Sequence, residues 1–206
     1  MQVIRRTPVD YRVMPWKNGG GITHEMFIYP ENADMGDDGF LWRLSSANIT
    51  EDGPFSSFPD YDRVLFLLSG KGANITVDGA DVRLASQFDS LRFSGATPAY
   101  SRLIDGPVTD LNLFYRRDAL SCEYRQLFPR REMERLFLPG NTTIMVCLQG
   151  EATVGIGGEQ PLREMELLVV LEHTWGQPLV VQYERESRIL FMTLSRRTGH
   201  DESHTK

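Results

Sequence analysis

Seven residues in the first half of the chain carry groups that a small polar ligand would need. They are Asn18, Gly20, Thr23 and Glu25 in W16-K-N-G-G-G-I-T-H-E25, Arg43 in W42-R-L-S-S-A47, Arg63 closing G53-P-F-S-S-F-P-D-Y-D-R63, and Asn112 in D110-L-N-L-F-Y-R116. A guanidinium presents a planar fork of donors that matches a carboxylate, and an amide donates and accepts at once. Arg63 opens the run V64-L-F-L-L68 after an aromatic, proline-bearing loop. The competing reading pairs Asp60 or Asp62 with a neighbouring arginine to pin that turn. Glu25 has the chemistry of a general acid or base, but no nucleophile or metal ligand stands beside it. A structural Arg43–Glu25 pair accounts for it equally well.

The glycines after Asn18 admit three readings: a phosphate cradle, a linker or a loop bent towards a ligand. A phosphate loop needs a helix after its glycines to supply N–H groups and a dipole, whereas the alternation of I22-T-H-E-M-F-I28 predicts a strand. A linker does not fit between Trp16 and a packed strand. What remains is a loop at a cavity mouth, with Asn18 and Gly20 beside the ligand and Thr23 and Glu25 on one face of the strand. Trp16, Phe55, Phe58 and Tyr61 are read as core and pocket wall.

These residues need elements to hold them, and the patterning is almost all strand. Period-two runs cover 22–28, 42–49, 64–68, 74–77, 111–116, 144–148, 167–171, 179–183 and 189–194, separated by turn signals such as D52-G-P54, D78-G79 and G157-G158. On this alternation Arg43 faces away from Trp42 and Leu44, into a barrel. Asn112 shares a face with Asp110 and Phe114. Periodicity alone leaves that row either solvent-facing or cavity-lining.

The sequence also repeats itself. V64-L-F-L-L-S-G-K-G-A-N-I-T-V-D-G79 resembles I144-M-V-C-L-Q-G-E-A-T-V-G-I-G-G158, and Gly70/Gly150, Pro98/Pro178 and Arg116-Arg117/Arg196-Arg197 recur at one offset in one order. The prediction is an all-β chain of two tandem cupin-type jelly-roll barrels, a bicupin, over 1–118 and 119–197, with a polar, disordered tail at 198–206. At that offset Arg63 falls on Thr143 and Asn112 on Met192. The polar anchors thus have no counterpart, and one pocket is expected, in 14–117.

Many cupins hold metal on a His-x-His plus Glu set. The four histidines here, His24, His173, His200 and His204, form no such motif, so no metal or other cofactor is expected. His24 and His173 read as hydrogen-bonded structural residues. The formal charge of −6, from 22 basic and 28 acidic residues, argues against a nucleic-acid partner. No signal peptide or membrane-spanning run is read. Cys122 and Cys147 lack any CxxC context, so a cytoplasmic protein is expected, with a homodimer as a possible assembly through exposed strand edges.

The blocks W16–E25, W42–A47, G53–R63, F93-S-G95 and P107–R117 together resemble the HutD/Ves family in order and spacing, across most of residues 14 to 117. The second half matches only in general character. Asp60 departs from the family's block, which commonly has glycine there. The resemblance implies a bicupin without the usual metal ligands, whose genes are often found with histidine-utilisation genes, in a regulatory or ligand-sensing role. The ligand then expected is a small carboxylate or formylated metabolite. A metal-independent enzyme using Glu25 and an oligomerising interaction module stay open as alternatives.

Overall fold

The structure, a computed structural model, describes residues 1–33, 39–128, 132–184 and 186–197. The expected tail at 198–206, with His200 and His204, lies outside the described residues. Among those described, nineteen strands and a single short 3-10 turn make up the regular structure. In chain order the first eleven are Gln2–Arg6 (β1), Arg12–Pro15 (β2), Gly21–Tyr29 (β3), Trp42–Ile49 (β4), Gly53–Pro54 (β5), Tyr61–Ser69 (β6), Ala73–Val77 (β7), Ala80–Leu84 (β8), Ser90–Ser94 (β9), Ala99–Leu103 (β10) and Val108–Arg116 (β11). The remainder are Leu120–Leu127 (β12), Met133–Leu138 (β13), Thr142–Gln149 (β14), Glu151–Gly155 (β15), Glu159–Arg163 (β16), Leu167–Leu171 (β17), Gln177–Tyr183 (β18) and Arg188–Arg196 (β19).

The chain divides between Arg117 and Asp118 into two compact units, and two short pieces cross that division. Met1–Ile4 belongs with the later unit and Met165–Leu167 with the earlier one. The physical reason for the first exchange is pairing: β1 adds to the edge at β17, and Val3 packs on the later unit's core. The earlier unit is a sandwich of sheets β2-β3-β4-β11-β6-β9 and β5-β10-β7-β8. The later unit pairs β1-β17-β14-β19-β12 with β13-β18-β15-β16. The orders β4-β11-β6-β9 and β12-β19-β14-β17 correspond strand for strand, as do the two smaller sheets. Each unit is thus a cupin-type jelly roll.

Register corrects one sequence mapping. Arg63 pairs with Phe114 and Leu65 with Asn112 in the earlier unit, whereas Thr143 pairs with Thr193 and Met145 with Phe191 in the later one. The counterpart of Asn112 is therefore Phe191 and not Met192. The separation of the paired residues Met145 and Phe191 is one residue less than that of Leu65 and Asn112, and a slip of one residue moves every side chain to the other face. Met145, Cys147, Leu168, Val170, Ile189 and Phe191 all join the core of the later unit. Where the earlier unit places Arg63, Asn112 and Asp110, the later one places Thr143, Phe191 and Ile189.

The strict alternation expected for 22–28 also fails at one point. Glu25 opposes Ser45 and Phe27 opposes Leu44, so Met26 is an extra residue in β3. Such a bulge re-aims the side chains beyond it. Ile22 ends up 42% exposed, opposite Asn48, while Ile28 opposes Arg43 and joins a buried cluster with Phe40, Tyr61 and Phe114.

Candidate ligand-binding cavity

Three cross-strand rows on the concave face of the earlier unit's larger sheet build the site. One runs Ile28–Arg43–Phe114–Arg63–Phe93, the next Glu25–Ser45–Asn112–Leu65, and the third Thr23–Ala47–Asp110–Leu67. Strand alternation brings every second residue to this face, so polar groups spaced two apart in sequence become a contiguous patch. A cavity of about 520 Å³ opens over it, lined by Arg43, Ser45, Arg63, Asp110, Asn112 and Phe114 from this sheet and by Ser101 from β10 of the facing sheet. The volume suits a small metabolite.

Arg63 lies at the centre of the arrangement and is 4% exposed. Its Nη2 donates to Asn112 Oδ1 at 2.7 Å, and Asn112 Nδ2 donates to Asp110 Oδ1 at 2.7 Å. That oxygen also accepts from the Ala47 N–H at 3.1 Å. The rings of Phe114, Phe55 and Phe93 surround the guanidinium, with centroids 4.5, 4.6 and 5.0 Å from Cζ, an arrangement that favours a cation electrostatically. Arg63 Nε, Asp110 Oδ2 and Ser101 Oγ are buried and have no partner among the described residues. Buried polar atoms are normally satisfied, so these three atoms in the cavity lining have hydrogen-bonding capacity left for whatever fills it.

Burial pushes the Arg63 guanidinium down to about 10, opposed by the attraction of Asp110. Burial likewise raises Asp110 to about 6, offset by Asn112, Arg63 and the Ala47 N–H. Removing charged groups from water disfavours their ionised forms in both cases. The turn-pinning role that competed for Arg63 belongs to a different pair. Arg117 Nε meets Asp62 Oδ1 at 2.7 Å, and Arg117 Nη2 donates to Pro59 O, Tyr61 O and Ser94 Oγ.

Arg43 lines the cavity, with Nη1 on Ser45 Oγ at 3.2 Å and Nε on Glu25 Oε2 at 2.6 Å. Burial lowers its pKa, and Glu25 opposes that shift. Glu25 does not itself line the cavity. Its second oxygen meets Arg12 Nε at 3.1 Å, so both carboxylate oxygens are held in ion pairs. Glu25 is therefore the counter-ion of Arg43.

The mouth is formed by the β2–β3 loop. Thr23 Oγ1 accepts from Trp16 Nε1 at 2.8 Å and so fixes the indole as a wall; Asn18 Oδ1 accepts from Gly20 N at 3.2 Å. The three glycines have different duties. Gly19 has φ +77°, and a Cβ on Gly21 would come within 2.5 Å of Asn48 O and 3.1 Å of the Trp16 ring. Gly20 meets nothing closer than 3.4 Å and is the glycine that lines the cavity. Asn18, Gly20, Thr23, Arg43, Arg63 and Asn112 are thus brought to one cavity, and Glu25 stands behind it. Sequence reasoning does not single out Asp110, Ser45 and Ser101 as site residues. For Asp110 the signal is present: it shares the face of Asn112 two residues on.

Cupin interiors that hold metal offer histidines and carboxylates. At depth this one offers Arg43, Arg63, Asn112, Ser45, Ser101 and a single carboxylate, Asp110, with Glu51 and Asp52 at the exposed rim, a donor set that does not fit a cation. Among the described residues no group of three or more His, Cys, Asp or Glu side chains could hold a metal ion. His173 instead sits buried against Thr143, with Nε2 and Oγ1 3.0 Å apart. Both cysteines are free and buried. No helix among the described residues is long and apolar enough to cross a membrane.

Comparison with known proteins places the chain in a family. A protein of Pseudomonas putida, an uncharacterised 21.2 kDa protein in the hutC 3' region, is 36% identical over 154 residues, covering 75% of this chain and 78% of that one. Protein Ves of Cronobacter sakazakii is 34% identical over 120 residues, covering 56% of this chain and 64% of Ves. The structure of HutD from Pseudomonas fluorescens SBW25, in a formate condition, is 32% identical with a TM-score of 0.80, covering 96% of this chain and all of that one. The HutD family model matches residues 8–191, and the chain belongs to the HutD family.

Proposed function

We propose that this bicupin is a binding protein for a small carboxylated or formylated metabolite, acting as a regulatory or accessory component of histidine utilisation. The observation that carries the reading is Arg63: a guanidinium buried among three phenylalanines, tied to one neutral amide, with Nε unpartnered at a cavity wall. Its bond to Asn112 leaves donor capacity unused at the cavity, and a planar fork with free donor capacity matches a carboxylate. Ser45, Ser101 and the amide of Asn112 supply the orienting polar contacts that a formyl or carboxyl oxygen requires. The link to histidine utilisation rests on the family and on the hutC-adjacent position of the Pseudomonas putida relative. A cytoplasmic location belongs to the same proposal. Acid–base catalysis by Glu25 has no comparable support, because both its oxygens are paired and it does not line the cavity.

Calorimetry with urocanate, formiminoglutamate and formylglutamate tests the reading. Saturable binding of at least one, abolished by Arg63→Ala, is the expected result. No saturable binding of any of the three sinks it.

A further inference from the structure

The buried charges around the cavity already balance. Arg43 and Arg63 face Glu25 and Asp110, and all four are nearly inaccessible to water. The other charged groups are peripheral: Lys17, Glu51 and Asp52 sit at the exposed rim, and Arg12 reaches Glu25 from the surface. β10 contributes only the hydroxyl of Ser101 to this wall, and Phe55 and Phe58 beyond β5 contribute rings. A carboxylate entering beside Arg63 therefore adds an uncompensated buried negative charge. Isolated buried charge is expensive, and a titratable neighbour neutralises instead.

Among the four buried groups, one carboxylate is positioned to do so. Glu25 is held by two arginines. Asp110 has an open side: Oδ1 accepts from Ala47 N and Asn112 Nδ2, while Oδ2 has no partner. We infer that the cavity takes up a carboxylate together with one proton from solvent, held on Asp110 Oδ2. The inference rests on the carboxylate-binding reading above. Protonation leaves both bonds to Oδ1 intact and turns Oδ2 into a donor for a carbonyl or carboxylate oxygen of the ligand. It also releases Arg63 from the charge of Asp110, with Asn112 relaying the change through its two hydrogen bonds. The ligand class is thereby narrowed to molecules presenting a single carboxylate at depth; any second negative charge belongs at the rim with Lys17.

Because Asp110 titrates near the middle of the accessible range, the coupling is readable. Calorimetry of the full chain with formate and with glutarate, in buffers of different ionisation enthalpy, counts the protons. At about pH 7, close to one proton should be absorbed per carboxylate bound, and apparent affinity should fall up to about tenfold for each pH unit above about 6. Asp110→Asn mimics the neutral acid, so it should bind with no proton uptake and with little pH dependence. Binding with no proton uptake in the wild type, or with equal uptake in Asp110→Asn, overturns the coupling and leaves carboxylate binding intact. Failure of both probes to bind even at about pH 5.5 overturns the coupling and the carboxylate reading together.

Discussion

Asn112 Oδ1 accepts a 2.7 Å hydrogen bond from Arg63 Nη2, and Arg63 has Nε left over. This bond makes the central cation of the cavity dependent on a neutral amide. The amide in turn holds Asp110 at 2.7 Å. Asn112→Leu should strand the Arg63 Nη2 donor and leave Asp110 Oδ1 with only the Ala47 N–H, at about 1–3 kcal/mol for each loss. Urea unfolding should show a loss of about 3 kcal/mol. A loss below about 1 kcal/mol would mean that the three side chains do not act as a chain.

The pH dependence of stability isolates Asp110. Its folded-state value of about 6 lies above its ordinary 3.8, so the folded protein holds this proton more tightly than the unfolded chain. The resulting stabilisation is complete below about pH 3.8 and is lost as pH rises towards 6. Asp110→Asn removes this contribution. The stability of the variant relative to wild type should therefore rise by about 3 kcal/mol in all between about pH 3 and about pH 7, about 2 kcal/mol of it between about pH 4 and about pH 6, and stay level above about pH 7. Denaturant melts at matched pH would refute this by showing a constant difference.

Glu25 gives a separate expectation. It faces Arg43 at 2.6 Å in a setting where both are buried. Glu25→Gln should cost about 3–5 kcal/mol, because removing one partner leaves the other charge uncompensated. Adding Arg43→Met should recover part of the loss, and a double-mutant cycle reads the coupling. Additive effects would show that the pair is not an energetic unit.

The glycine loop separates architecture from access. Gly21→Ala drives a Cβ into Asn48 O and the Trp16 ring and should cost about 1–3 kcal/mol. Gly20→Ala has room, so thermal stability should hold while ligand affinity falls as the mouth narrows. Equal destabilisation by the two would undo the division of roles.

Much of this is legible in sequence, and for identifiable reasons. Strands such as Val108–Arg116 show through period-two patterning, which is local; Arg43 emerges from it as inward-facing, Arg63 from its place after the aromatic loop, and Asn112 from the family resemblance. The illegible part depends on insertions and on distant pairing. The bulge at Met26 puts Ile28 and not Phe27 opposite Arg43, and the pairing of Glu25 with both Arg12 and Arg43 is a cross-strand outcome. A shortening by one residue replaces Met192 with Phe191 as the counterpart of Asn112 across the repeat. The joining of Gln2–Arg6 to the edge at Leu167–Leu171 is a long-range pairing that no local pattern encodes. Asp110 fits solvent or cavity equally well on pattern alone, because alternation gives the face and not the layer that covers it.

The most direct test of the central claim is calorimetric titration of wild type and Arg63→Met with formylglutamate, urocanate and formiminoglutamate. Met fills the space among Phe55, Phe93 and Phe114 without the charge, and Asp110, left without Arg63, is neutralised by taking up a proton, so the variant should remain folded. Saturable binding to wild type, lost in a folded Arg63→Met protein, is the expected result. Binding that survives in Arg63→Met, or the absence of binding to wild type, would contradict the account.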